Sequence, residues 1–567
     1  MHLLALPPLK GSARREFILL GLTLAAVFLA CYQPIWDPDT YWHLAVGRQM
    51  WQTGHLVRTE TFSFTAPGAV WEDTEWLFHA LAYPLWKIGG ERALSLCTAI
   101  LGMAGVGLAY RCVRLAGGGA MELSLYMLLM MGAYQSRIRF RPDLLSLVFM
   151  AILVEALLRW TPTPPRTGRI WIFLSALFCL WAQCHGGWAY GMALLGVVLA
   201  GAALDSIRDR TFSVRFMISL GLTGLAPAIA LFVNPYTWQI PWFPVKSVIG
   251  FMDPTQIQIQ EWDKTPFQGA FGIFILVCIA GSLAVLLTWK RLTWKECLWV
   301  GSQVFFGLHW VRYVAYSAVS LAPAFCGRLA GLLRRPALVR AAWGSALSLT
   351  LLAGLYHFGH LKSEMNLTQK YPVMENRFLE VNGIEGNLFN VYSCGGYLDW
   401  NAYPRNRIFM DGRYYPFVAA MQDYWQAQKS IAGYREFLEK YPFDVALYPF
   451  PDFHLREKGQ AMDTPARGPS ALVFPPKDWA LVYIGNYGMV LLKREARYAD
   501  VIAKHEYRVL RPDDLPYLVR AARKGEIDKA QLEEEIRRAI HEAPWGPMRP
   551  VLERALSWME GGSGKVQ

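Results

Sequence analysis

Between Phe17 and Phe358 the chain returns repeatedly to long apolar runs, and that recurrence narrows the possible folds more than any other feature. A bilayer's hydrocarbon layer, about 30 Å thick, is crossed by roughly 20 residues of helix. The runs are Phe17–Trp36, Ala93–Tyr110, Leu123–Tyr134, Leu144–Trp160, Ile170–Gln183, Trp188–Leu204, Phe216–Val233, Phe271–Trp289, Trp294–Trp310, Val314–Leu333 and Ala341–Phe358. They predict a polytopic α-helical membrane protein of about eleven transmembrane helices, the third, fifth and sixth of them short. The stretch around His185-Gly186-Gly187 is too long for one crossing and reads as two helices, with the glycines allowing a tight reversal. The N-terminus reads as an uncleaved first span, because its apolar run exceeds a signal-peptide core and no small-residue cleavage site follows.

The polar residues between the runs set the expected orientation. Lys10, Arg14 and Arg15 precede the first run. Arg111 and Arg114, then Arg159, Arg166 and Arg169, then Arg208, Arg210 and Arg215, fill alternate connections. Lys290, Arg291 and Lys295, then Arg328, Arg334, Arg335 and Arg340, continue the series. With cytoplasmic loops the basic ones, the N-terminus is cytoplasmic and residues 359–567 lie outside the cytoplasm. The net charge of +12 is therefore a topology signal and not a nucleic-acid footprint. No CxxC pair or Cys/His ligand spacing occurs among the nine cysteines, which argues against zinc and structural disulfides.

Three segments share the outer side: a first loop at about 37–90, a second at about 234–269, and the tail. The short outer connection QSRIRFRPD places Arg137, Arg139 and Arg141 where basic residues are disfavoured. Guanidinium pairs bidentately with phosphate, so an anion site explains them; contact with lipid headgroups, or a different path for the short third run, explains them as well. The first loop opens with Asp37 and Asp39, then Tyr41, Trp42 and His43, and later carries Glu72, Asp73 and Glu75. A carboxylate losing hydration at a membrane edge becomes a better proton acceptor. The same Asp37-Pro38-Asp39 also suits the start of a helix, and two acids can hold a divalent cation, Mg or Mn.

The tail reads as a soluble α/β domain. NLFNVYSCGGYLDW suggests a strand running into a glycine turn, and RIFMDGRYY a second strand and turn. DVALYPF suggests a buried strand, WALVYIGNYGMVLLK a hairpin, and DDLPYLVRAARKGEIDKAQLEEEIRRAIHEAPW near the end a solvated helical hairpin. Asp399, Asp411 and Arg413 in the GGYLDW and DGR turns either contact a glycan or serve the turns themselves.

Several segments together resemble uncharacterised bacterial members of the GT-C superfamily of polytopic membrane glycosyltransferases. They are DPDTYWHLAVGRQM with TETFSFTAPGAVWEDTEWL, RIRFRPDLLSL, WAQCHGGWAYG, NPYTW with QEWDKTP, WVRYVAYSAVSLAP, and GGYLDWNAYPRNRIFMDGR. The resemblance implies sugar transfer from a polyprenyl-phosphate or -pyrophosphate donor on the outer face of the bacterial inner membrane. It implies an acid of the first outer loop as general base, here Asp39 or Asp37, with Asp39 preferred because DTYWHLA continues into a helix. Many members have adjacent acids where this chain spaces them with Pro38.

The chemistry implied is displacement at the anomeric carbon. Arg137, Arg139, Arg141 and Arg312 would hold the donor phosphate. Tyr41, Trp42, His43, Glu72, Asp73, Glu75, His185 and Glu261 would line the acceptor or sugar side, though packing explains the histidines and an interfacial aromatic belt the rings. A second reading, a non-enzymatic carrier or flippase for a lipid-linked glycan, asks for midspan charges and internal repeats, and the sequence is poor in both.

Overall fold

The computed structural model describes residues 13–160, 170–251, 260–287, 292–332, 367–451 and 466–559, together with 344, 351 and 354. Apart from those three residues the eleventh expected span, Ala341–Phe358, lies outside the described residues, as do Lys10, Arg166, Arg169, Lys290, Arg291, Arg334, Arg335 and Arg340. The chain packs as two units. The first is residues 1–35 with 72–364, and the second is residues 36–71 with 365–567. The stretch expected to be one outer loop is thus divided near Trp71, and its first half belongs with the tail.

In the first unit, ten helices fall on the first ten apolar runs. They are α1 (Ala13–Cys31), α3 (Trp76–Leu115), α4 (Ala120–Gln135), α5 (Pro142–Arg159), α6 (Ile170–Cys184), α7 (Trp188–Arg208), α8 (Val214–Ala230), α10 (Gly269–Leu286), α11 (Trp294–His309) and α12 (Val314–Leu332). By length and composition α3, α7 and α10 are long and apolar enough to cross a membrane. A further helix, α9 (Gln239–Phe251), lies in the second loop.

Helix α3 is longer than its apolar run because it is two helices joined at a kink. Gly89 and Gly90 leave helical geometry, Gly90 at φ +58°, a conformation that costs glycine little. Small residues let the helices approach closely: the Tyr134 hydroxyl donates to the Gly102 carbonyl at 2.7 Å. Outward, α8 keeps Leu222, Leu225 and Ile229 exposed, and α10 keeps Leu276, Ile279, Leu283 and Leu286 exposed. A surface of that kind is matched to lipid rather than water.

The second unit holds a five-stranded sheet of order β2-β1-β3-β5-β4, with β1 (Gly386–Phe389), β2 (Asn406–Ile408), β3 (Val445–Pro449), β4 (Trp479–Ile484) and β5 (Gly488–Lys493). Strands β1, β2 and β3 run parallel, and β5 is antiparallel to both β3 and β4. The β2 edge is covered by the first-loop segment: Ile408 N–H donates to the Phe62 carbonyl and Phe64 N–H to the Ile408 carbonyl, both at 3.2 Å. Covering an edge in this way satisfies backbone groups that would otherwise stay open.

One expectation for the tail needs correction. The GGYLDW stretch is a helix, α14 (Tyr392–Asn401), and not a turn; α13 (Val373–Val381) precedes it. The DDLPYLVRAARKGEIDKAQLEEEIRRAIHEAPW stretch holds the two helices expected there, α15 (Leu515–Arg523) and α16 (Lys529–Glu542), and a third, α17 (Arg549–Met559), follows it.

Candidate functional site

The expected site residues divide between the two units. In the first unit the connection between α4 and α5 is tight, with Arg139 N–H bonded to the Arg137 carbonyl at 3.2 Å and Arg141 N–H to the Arg139 carbonyl at 2.7 Å. Pro142 then starts α5, its fixed φ suiting the first helical position. The turn brings Arg137 inward, 5% exposed, where it meets Glu261 in two parallel bonds of 2.6 and 2.9 Å. Asp143, in the first turn of α5, lies 3.6 Å from the Arg137 Nε.

Two more arginines reach the same carboxylate. Arg141 and Arg312 each place a guanidinium nitrogen 3.6 Å from Glu261. Arg312 is held by a short helical turn (Val311–Tyr313), with its guanidinium over the Trp262 ring at 5.2 Å and Val311 N–H bonded to the Asp263 carbonyl. Burial opposes ionisation of Glu261, but Arg137 first, then Arg141 and Arg312, hold its carboxyl far below the usual range. Three cations therefore surround one carboxylate. Arg137 is locked, while Arg141 and Arg312 keep 22% and 29% of their side chains exposed. Arg139 lies half-buried on the same connection.

Glu75 and His185 lie close to this group. His185 Nδ1 accepts the Gly187 N–H at 3.1 Å and is 2.7 Å from the Ser146 hydroxyl, which itself accepts from the Trp181 indole at 2.6 Å. With Nδ1 an acceptor, Nε2 carries the ring proton, and it lies 3.9 Å from Glu75 Oε1. Burial, then the charges of Arg312, Arg137 and Arg141, push His185 well below the ordinary histidine range, so it is neutral. Burial, reinforced by Asp73, pushes Glu75 up to about 8 against the opposing pull of Arg141 and Arg312.

The role of the second glycine differs from the expectation. Gly187 has ordinary right-handed geometry, φ −61° and ψ −14°. What it supplies is space, since a methyl there would be driven against the Ser146 hydroxyl and His185 Nδ1. Asp73 is buried and bonds His79 Nδ1 at 2.9 Å and the Glu75 N–H at 3.0 Å. Glu72 instead faces α9, accepting from Gln239 at 3.3 Å with Lys246 at 3.9 Å.

In the second unit Asp37 caps α2 (Pro38–Thr53), its Oδ1 accepting the Asp39 N–H at 3.0 Å with Pro38 at the first helical position. The helix-start reading of Asp37 is correct. Asp39, half-buried in the first turn, directs its carboxyl toward Gly412. Tyr41, Trp42 and His43 are 3%, 6% and 1% exposed. Tyr41 stands edge-on to Tyr371 and Tyr397 at 5.3 and 5.2 Å, and Trp42 edge-on to Trp71 at 6.2 Å. Arg48 stacks over Trp400 at 4.3 Å.

Asp399 and Asp411 are fully buried and Arg413 is 6% exposed. Arg413 pairs with Asp411 and, at 2.6 Å, with Glu60. Burial, then the neighbouring Asp411, raises Asp399 well above the usual carboxyl range, so it is the protonated member of this group. Glu60, Ser146, Trp181 and Asp143 were not foreseen as members of either cluster. The Arg-Pro-Asp spacing before α5 was the one signal that could have pointed to Asp143.

No family model matches the chain, and no curated protein matches it. Solved structures do. ArnT from Cupriavidus metallidurans in the apo state aligns over 85% of this chain and 98% of its own, at 13% identity and a TM-score of 0.53. The apo oligosaccharyltransferase of Archaeoglobus fulgidus aligns over 86% of this chain and 75% of its own, at 11% identity and a TM-score of 0.52. The oligosaccharyltransferase AglB from the same organism, in complex with an inhibitory peptide and a dolichol-phosphate, aligns over 77% and 70%, at 12% identity and a TM-score of 0.50. At such identities the likeness is one of fold, and the chain shares its fold with these ArnT and oligosaccharyltransferase structures.

Proposed function

We propose that this protein transfers a sugar from a polyprenyl-phosphate or -pyrophosphate donor to an acceptor on the extracytoplasmic face of a bacterial inner membrane. The observation that carries the reading is the gathering of Arg137, Arg141 and Arg312 around Glu261. Glu261, even with Asp143 beside Arg137, cannot neutralise three guanidinium groups. The surplus charge and the N–H donors of Arg141 and Arg312 suit the phosphate of a departing lipid. The dolichol-phosphate in the AglB structure is a lipid phosphate of that class.

In the reaction the acceptor hydroxyl gives its proton to Asp39, and the acceptor oxygen forms the new bond to the anomeric carbon. The bond from that carbon to the donor phosphate breaks with its electron pair going to the phosphate oxygen, which leaves with the lipid. Base assistance of this kind contributes about 10²–10⁴ in rate. Neutral His185, fixed as an Nε2–H donor, and protonated Glu75 supply hydrogen bonds beside the arginines without adding charge. Asp37 spends one oxygen on its cap. Asp37 and Asp39 are the residues that would hold a Mg or Mn ion, which binds oxygen ligands and keeps several waters.

The reading is tested with full-length protein in lipid nanodiscs and a panel of polyprenyl-phosphate sugars. It expects one donor class to be consumed, and consumption to fall when Arg141 or Arg312 becomes Ala. Donor binding without consumption by the unaltered chain would favour a carrier instead.

A further inference from the structure

The sequence places three glycines in two motifs that look like turns, SCGGYLDW and MDGRYY. None of Gly395, Gly396 and Gly412 has a positive φ, so no turn conformation requires them. All three stand where a neighbouring group leaves no room for a side chain. A methyl at Gly395 would strike the Met410 carbonyl and the backbone of Asp411. One at Gly396 would strike the Pro38 carbonyl, in the first turn of α2. One at Gly412 would strike the Asp39 carboxylate itself, with the Trp42 indole next nearest at 3.3 Å.

The parts on either side of these contacts are anchored. Asp411 accepts the Arg413 N–H at 2.8 Å, which fixes the turn. The Arg413 guanidinium is enclosed by Phe62, Trp71 and Phe417 at 5.1, 5.2 and 5.5 Å, and pairs with Glu60. Glu60 in turn accepts the Phe62 and Ser63 N–H groups at 2.7 and 2.8 Å. The 411–413 turn is thereby tied to the first-loop segment that follows α2. Asp37 holds the start of α2 from the other end.

We propose that Gly396 and Gly412 are positioning residues for Asp39: they let the tail's backbone close against the first turn of α2 and fix where its carboxylate points. This rests on the assignment of Asp39 as the base. It adds that the reach of that base is set by the DGR turn some 370 positions later in the chain. A side chain at either glycine turns or displaces the carboxylate, and a displacement of about 1 Å is enough to cost a positioned group on the order of 10²-fold in rate.

The test uses full-length protein in nanodiscs in two arms. The first is a melting cycle of the unaltered chain, Gly412→Ala, Asp39→Ala and the double variant, with Gly107→Ala, which faces open space, as control. Gly412→Ala is expected to lower Tm by about 2–4 °C or more, and Asp39→Ala to restore most of that loss by removing the struck group. Additive losses overturn the proposal. Because rescue is read in the double variant, the arm holds even where Gly412→Ala alone does not fold.

The second arm is turnover. Gly412→Ala is expected to lower kcat by about 10²-fold with the donor KM within roughly twofold, and to add nothing in an Asp39→Asn background. Unchanged kcat in Gly412→Ala overturns the proposal. If the unaltered chain consumes no donor, the transferase reading fails while the melting cycle still decides the seating of Asp39.

Discussion

Arg137 and Glu261, 124 positions apart, meet through two bonds of 2.6 and 2.9 Å and form the fixed centre of the arginine cluster. Removing Arg137 leaves Glu261 to partners at 3.6 Å. Breaking a buried pair from one side costs about 3–5 kcal/mol, and Arg137→Ala is expected near the low end because Arg141 and Arg312 remain. A thermal or denaturant midpoint measures it. Arg141→Ala and Arg312→Ala are expected to leave the fold intact. Each should weaken binding of a polyprenyl-phosphate by about 10- to 100-fold, the worth of a hydrogen bond to a charged group. Equal loss of stability in all three variants would contradict this division of roles.

Glu75 makes the cluster sensitive to alkaline pH. Its carboxyl is uncharged below about 8 and becomes an anion above it, among Asp73, Asp143, Arg141, Arg312 and His185. The added negative charge opposes the donor phosphate, so donor Kd is expected to rise as pH passes through about 8. Glu75→Gln should flatten that rise, since it keeps the neutral shape. The sign for stability is the same: a carboxyl raised in the folded state favours folding below its unfolded value near 4.5. That contribution is lost as pH climbs through about 8. Titration of donor Kd from pH 6 to 9.5 in both proteins measures the effect.

Ser146 is expected to act through His185. Ser146→Ala leaves the buried Trp181 indole and His185 Nδ1 short of a partner, at a cost of about 1–3 kcal/mol. It also loosens the ring whose Nε2–H faces Glu75. Ser146→Thr should recover much of the loss in the melting midpoint where its extra methyl is accommodated, and Gly187→Ala should not, because the methyl enters the same space.

The buried group around Arg413 is a second stability determinant. Arg413→Met would strand Glu60 and Asp411 without their cation, an expected loss of about 3–5 kcal/mol. Asp399→Asn should be far milder, because the acid it replaces already carries a proton. Denaturant unfolding of the full-length variants compares the two.

Much of the fold was legible because a helix that meets lipid must be apolar along its length, and such runs are visible one residue at a time. The ten described helices fall within a few residues of the runs that predicted them, apart from α3, whose first half precedes its apolar run. The arginine connection was legible for a similar reason, since three arginines outside the expected pattern need an explanation. The partnership of Arg137 with Glu261 was not, because nothing periodic links positions in different loops. The GGYLDW helix was misread because glycine signals a turn when only conformation is considered; here glycine marks a close approach. The assignment of residues 36–71 to the tail's unit rests on pairings such as Phe62 with Ile408, which no local pattern contains.

The central claim is that Asp39 takes the acceptor's proton. It is tested most directly by donor consumption in nanodiscs, comparing the unaltered chain with Asp39→Asn and Asp37→Asn. The account predicts a loss of about 10² or more for Asp39→Asn. It predicts a smaller loss for Asp37→Asn, traceable to a weakened helix cap worth about 1 kcal/mol. Equal rates in all three proteins would contradict it and leave both acids as the opening of α2.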